Sequence, residues 1–141
     1  MDEARRLVTA DERLLLLANE PDEVVLISAL LQDALVRPVD IAWQPKARRL
    51  VLLVNRFRWE AGDRTRVRAA LRIESVLRVQ RRDWPRDDGI LDLLAVTADG
   101  HHLTLSFAGG ATIRAEVECV DVVLEDMSAP WAASREPGHG R

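Results

Sequence analysis

Apolar and polar residues alternate most regularly between Ile90 and Leu124, where two glycine-containing breaks divide the pattern into three short segments. A period of two, with apolar residues on one face, predicts strands, so the stretch reads as a three-stranded antiparallel meander. Asp99-Gly100 suits a two-residue type I′ turn, whose central positions both need positive φ. That turn would set Val96 opposite Leu103 and Leu94 opposite Leu105. At the second break, a two-residue Gly109-Gly110 loop would set Leu105 against Arg114. A three-residue loop, Ala108-Gly109-Gly110, instead pairs Leu105 with Ile113 and Leu103 with Ala115, with one glycine in the left-handed region as a bulge.

The remaining pattern is organised around this meander. Residues 1–12 are polar and aperiodic and read as a flexible extension. Leu14 to Ala18 predicts the first strand. Pro21 in a first turn, acidic residues beside it, and a stripe of Val24, Ile27, Leu30 and Leu31 predict one helix ending near Gln32. Ala34 to Gln44 reads as extended, with Pro38 marking an edge or bend. Leu50 to Val54 is apolar on both faces, the pattern of a central strand covered on both sides. Val67, Ala69, Leu71 and Ile73 then alternate with Arg66, Arg68, Arg72 and Glu74.

The segment Arg68 to Leu77 parallels Arg114 to Val123, and in both the inward parity shifts near the same point. We read the shifts as bulges or bends that carry a strand around a corner, and the likeness as an internal duplication. Arg81 to Gly89 is a loop joining the halves, and residues 127–141 form an irregular tail that Trp131 pins to the body. The expected architecture is one α+β, mostly β domain over residues 13–126. Its strongly bent antiparallel sheet forms a barrel or two-sheet roll, a PH-like barrel being one form, with one helix near the N-terminus.

Composition bounds the class. A chain of 141 residues with 48% hydrophobic content sustains a single core. No apolar run approaches the ~18 residues of a membrane span, and the charged start lacks the apolar stretch of a secretory signal. The single cysteine, Cys119, excludes an intramolecular disulfide and cannot alone build a structural zinc site. These features predict a soluble, cytoplasmic protein without a membrane partner. The net charge of −3 is unevenly spread: residues 46–86 carry 13 Lys/Arg against 4 Asp/Glu, between acidic flanks. A basic middle segment either faces an anionic partner or is neutralised by neighbouring acidic strands.

Candidate chemistry is sparse. His101 and His102 are adjacent on a strand and point to opposite faces, and His139 lies in the tail, so no metal site is expected. Gly109-Gly110 precedes a strand rather than a helix and reads as a turn. Cys119 falls on the inward parity and reads as a small core residue. The most suggestive cluster is Asn55-Arg56-Phe57-Arg58-Trp59-Glu60. Alternation places Phe57 and Trp59 inward, with Arg56 and Arg58 on a solvated face where a guanidinium beside an indole could hold an anion. No nucleophile–base pair stands out, so no catalytic residue and no cofactor is expected.

The stretches Ile27 to Ala34, Asn55 to Glu60, Leu105 to Gly110 and Val117-Glu118-Cys119, together with Pro130-Trp131-Ala132, resemble a bacterial domain-of-unknown-function family of small proteins. The resemblance runs from about Leu14 to Ser134. It implies a gene often found beside those for histidinol dehydrogenase and the enolpyruvyl transferase of peptidoglycan synthesis, and it implies no activity. The short Asp99-Gly100 hairpin departs from relatives, which often carry a longer loop.

The function expected from the sequence is a non-catalytic module that binds a protein partner. The alternative is an anionic-ligand or nucleic-acid binder using the Arg-rich strands. Candidate binding residues are Asn55, Arg56, Arg58, Trp59, Arg66, Arg68, Arg72 and Trp131. With no Tyr and two Phe, base-stacking platforms are poorly supplied.

Overall fold

A computed structural model describes residues 13–134, and the expected extension over residues 1–12 lies outside them. The first strand, β1 (Leu15–Ala18), runs directly into α1 (Pro21–Leu30), as the pattern predicted. Helix initiation is local: Pro21 occupies the first turn, and the Glu23 carboxylate accepts hydrogen bonds from the backbone N–H of Asn19 (2.9 Å) and Glu20 (3.0 Å). The stripe of Val24, Ile27, Leu30 and Leu31 is buried. Two short strands, β2 (Ala34–Val36) and β3 (Ile41–Gln44), flank a 3-10 turn begun by Pro38.

A hairpin of β4 (Arg49–Phe57) and β5 (Thr65–Ile73) follows, then β6 (Val76–Arg82). The second half contains β7 (Leu91–Asp99), β8 (His102–Phe107), β9 (Thr112–Val117) and β10 (Val122–Asp126), with a short β11 (Trp131–Ala132) in the tail. All pair antiparallel in one sheet of order β1-β10-β5-β4-β2-β7-β8-β9-β6, with β3 beside β4 and β11 beside β5. The sheet is open. No ladder joins β1 to β6, so the closure a barrel requires does not occur among the described residues.

The two bends foreseen in the sequence fall at residues 74–75 and 118–121. They knit the halves together reciprocally: β10 pairs with β5, and β6 pairs with β9. At the crossing, Glu74 N–H donates to Asp121 O (2.9 Å) and Glu118 N–H donates to Ser75 O (3.0 Å). Ser75 has φ +57, the left-handed geometry that turns β5 into β6.

The registers divide into one met and one corrected. Leu105 opposes Ile113 and Leu103 opposes Ala115 across the Ala108-Gly109-Gly110 loop, as expected, with both glycines at positive φ rather than one. The first turn is shifted by one residue. Asp99 pairs with His102, so Gly100-His101 occupies the centre, and Val96 opposes Leu105 rather than Leu103. Only Gly100 has positive φ there, the pattern of a type II′ turn, which spares Asp99 the left-handed strain of type I′. A register irregularity between Leu93 and Ala95 returns Leu91, Leu93 and Val96 to the buried face.

The core lies on one face of the bent sheet. Leu50, Leu52 and Val54 meet Ala69, Leu71 and Ile73, and then Val122 and Leu124, across the β4-β5-β10 ladder. The outer face of β4, with Val51 and Leu53, is only half-covered, so the expected burial on both sides is complete on one side alone. Cys119 is exposed, contrary to its expected place in the core. β9 ends at Val117, so strand parity does not extend into the corner that holds the cysteine.

Candidate functional site

The inward row of β4 runs Leu50, Leu52, Val54 and then Arg56, which is 0% exposed. Asn55 and Phe57 therefore take the outer face, where Phe57 is nonetheless buried as expected, while neither Arg56 nor Arg58 is solvated. The Arg56 guanidinium is shared by two carboxylates. Nε and Nη2 each donate at 3.0 Å to Asp126, while Nη1 and Nη2 donate at 2.9 and 2.7 Å to Glu60. Burial opposes the Arg56 charge, but the hydrogen bonds and charges of Glu60 and Asp126 outweigh it and raise its pKa. Burial likewise works to raise the Glu60 carboxyl, and Arg56 more than reverses this, leaving it below its ordinary value. Arg58, 1% exposed, donates to Asp63 (3.2 Å) and to the Thr65 hydroxyl (3.1 Å), closing the Trp59–Arg64 loop.

Trp59 is outside the core. The residue is 37% exposed, and its indole donates from Nε1 to Gln32 O (2.9 Å) and meets the Phe57 ring edge-on at 4.6 Å. The structure brings Asn55, Arg66 and Arg68 together on the outer face of β4 and β5. Arg66 donates to Asn55 O (2.9 Å) and lies over the Phe57 ring at 5.8 Å. Its burial lowers its pKa, with Asp92 and Asp33 acting in the opposite sense. Arg68 reaches Asn55 Oδ1 (3.4 Å) and Asp40 (3.6 Å), and Arg72 pairs with Glu125 on β10 at 2.9 Å. Further pairs, Arg49–Glu74, Arg48–Glu118 and Arg78–Glu116, also join the basic middle segment to acidic neighbours. Trp131 pairs with Arg66 in the β11–β5 ladder, which docks the tail through its backbone while the indole stays 42% exposed.

Asp126 does more than hold Arg56. Its Oδ2 accepts the Leu14 backbone N–H (3.0 Å), and its own N–H donates to Leu14 O (2.8 Å). The buried charges therefore set the position of β1, a feature the sequence reading missed. The signal was available, because Arg56 continues the parity of Leu52 and Val54.

β1 is the edge that results. The Leu14–Asp126 bonds fix which backbone groups face β10, and alternation turns those of Leu15 and Leu17 toward the open side. The side chains of the same two residues stand on the outer face, 57% and 61% exposed. Directly after the strand come Glu20, Asp22 and Glu23, all exposed. The site thus offers backbone groups that no other described strand pairs, two leucines at alternate positions and an acidic end. His101 lies in a turn, His102 lies in β8, and His139 is outside the described residues. Among the described residues, no group of three His, Cys, Asp or Glu is placed to hold a metal ion. No helix among them is long and apolar enough to cross a membrane.

Residues 14–139 match the model of the family described as "Protein of unknown function (DUF2948)", and the chain belongs to that family. No curated protein and no solved structure matches it.

Proposed function

We propose that this member of the family is a non-catalytic binding module that takes an extended segment of a protein partner as an added strand beside β1. The observation that carries the reading is the coincidence at Leu15 and Leu17 of exposed apolar side chains and backbone groups left unpaired among the described residues. An open strand edge recognises extended backbone through ladder hydrogen bonds, and alternate pockets or side chains add selectivity. Natural sheets normally blunt such an edge with charge, proline or a bulge. Here the strand reads Leu-Leu-Leu-Ala. The partner segment should carry apolar residues at alternate positions and a basic residue near Glu20, Asp22 and Glu23.

The alternative reading, an anionic ligand held by Arg66, Arg68 and Arg72, has less support. Each of these guanidiniums already engages a protein acceptor.

Selection from a random peptide display library on the immobilised chain tests the proposal. Enriched peptides should alternate apolar residues, and their binding should fall in Leu17→Lys and in Leu17→Pro. Proline is tolerated on an edge whose N–H faces away from the sheet, but it blocks an added strand. Binding that survives both substitutions, or a dimer of this chain that disappears with them, overturns the reading.

A further inference from the structure

The far end of the sheet carries a different surface. β6, β9 and β8 lie side by side there, and their register aligns Gln80 with Arg114 and Thr104, and Arg82 with Thr112. These side chains share the outer face, so Arg82 and Arg114 are diagonal neighbours, about 7–8 Å apart and within reach of one ligand. With His102, they line an open cleft of about 450 Å³. That size suits a small organic ligand rather than a single inorganic ion.

Among the described residues, no carboxylate pairs with Arg82 or Arg114 in the cleft. Arg49, Arg56, Arg68 and Arg72, by contrast, all meet carboxylates. Arg81, also at the cleft, lies over the Trp84 ring at 5.1 Å. One carboxylate, Asp99, also lines the cleft. The other groups are hydroxyls, an amide and an imidazole, which can donate hydrogen bonds to anionic oxygens.

We infer that this cleft binds a small ligand bearing a diphosphate or two neighbouring phosphate groups. Two guanidinium forks match phosphate oxygens bidentately, and Thr104 and Gln80 supply further hydrogen bonds between them, while the Thr112 hydroxyl donates to Gly110 O (3.2 Å). The cleft lining contains no Phe, Tyr or Trp side chain, so the usual platform for stacking bases of a single strand is absent from it. The inference is independent of the proposal for β1, since the two sites lie on strands at opposite ends of the sheet.

The test is calorimetric titration of the full chain with inorganic pyrophosphate at moderate salt. Saturable 1:1 binding is expected, weakened at least about tenfold by Arg82→Gln or Arg114→Gln and unchanged by Arg72→Gln. Thermal unfolding of each variant confirms that the fold is retained, as these side chains are on the surface. Co-sedimentation with phosphatidylcholine vesicles, with and without a phosphoinositide, identifies the source of the phosphates. Arg114-dependent sedimentation assigns a lipid headgroup, and pyrophosphate binding without sedimentation assigns a free ligand. Absence of saturable pyrophosphate binding, equal weakening by Arg72→Gln, or preferential salt-sensitive binding of a single-stranded oligonucleotide overturns the inference.

Discussion

Arg56 and Asp126 stand 70 positions apart and face each other through two hydrogen bonds of 3.0 Å, with both side chains essentially removed from water. Asp126 also accepts the Leu14 N–H, so one buried carboxylate links the middle of the sheet to its edge strand.

Removing Asp126 leaves the buried Arg56 with Glu60 as its remaining carboxylate and takes the acceptor from the Leu14 N–H. Asp126→Ala is expected to lower unfolding stability by about 3–5 kcal/mol. The apolar double replacement Arg56→Met with Asp126→Leu should cost less than Asp126→Ala alone. Denaturant unfolding of the variants measures both, and a double variant less stable than Asp126→Ala would contradict this account.

Acid should expose the same network. Glu60 titrates below its ordinary value in the folded state because Arg56 overcomes the opposing effect of burial. A depressed carboxyl contributes stability that is present above its unfolded pKa, about 4.3, and is lost as pH falls through the lower folded value. Glu60→Gln should therefore flatten the acid limb of the stability profile. Superimposable limbs for the variant and the parent would show that Glu60 has no such share.

Cys119 is exposed in the β9–β10 corner. A thiol reagent should label it in the native state about as fast as in denaturant, and Cys119→Ser should shift stability by less than about 0.5 kcal/mol. Labelling that waits for unfolding would return this residue to the interior.

The tail is held by backbone pairing more than by its indole. Ala133 N–H donates to Arg64 O (3.0 Å), and Ser128 Oγ accepts from Arg68 N (3.0 Å). Trp131→Ala should cost less than about 1 kcal/mol, as expected of a half-exposed ring, while ending the chain at Ala129 should cost more. A chain ending at Ser134 serves as the control. Equal melting temperatures for the Ala129 and Ser134 ends would remove β11 from the stabilising structure.

Much of the fold was legible because local rules agreed with the tertiary result. Proline and acidic residues marked the start of α1, and the apolar parity of Leu103, Leu105, Ile113 and Ala115 selected the three-residue loop. Failures came where two rules competed. At Asp99-Gly100, a favourable dipeptide suggested one register, while the geometry needing a single left-handed residue took another. At Asn55 to Glu60, the general preference of aromatic rings for the interior was set above the parity of the strand. Phe57 is buried as that preference expects, but two carboxylates bury Arg56 as well, one of them 70 residues away and invisible to any local window. The open edge of β1 depends on which strands pair, and the arginine cleft depends on β6 crossing to β9. Neither can be read from neighbouring residues.

The reciprocal crossing of the halves also bears on how the chain is made. β5 ends at Ile73, and its partner residue Val122 on β10 comes much later in the chain. At about 5–20 residues per second of synthesis, that side of β5 waits several seconds for its ladder. During that interval the nascent N-terminal half presents a bare strand with Ala69, Leu71 and Ile73 along one face. A ribosome-stalled chain ending near Gly110, with β5 outside the exit tunnel and β10 not yet made, should therefore be bound by chaperones, and release should follow only once β10 has emerged.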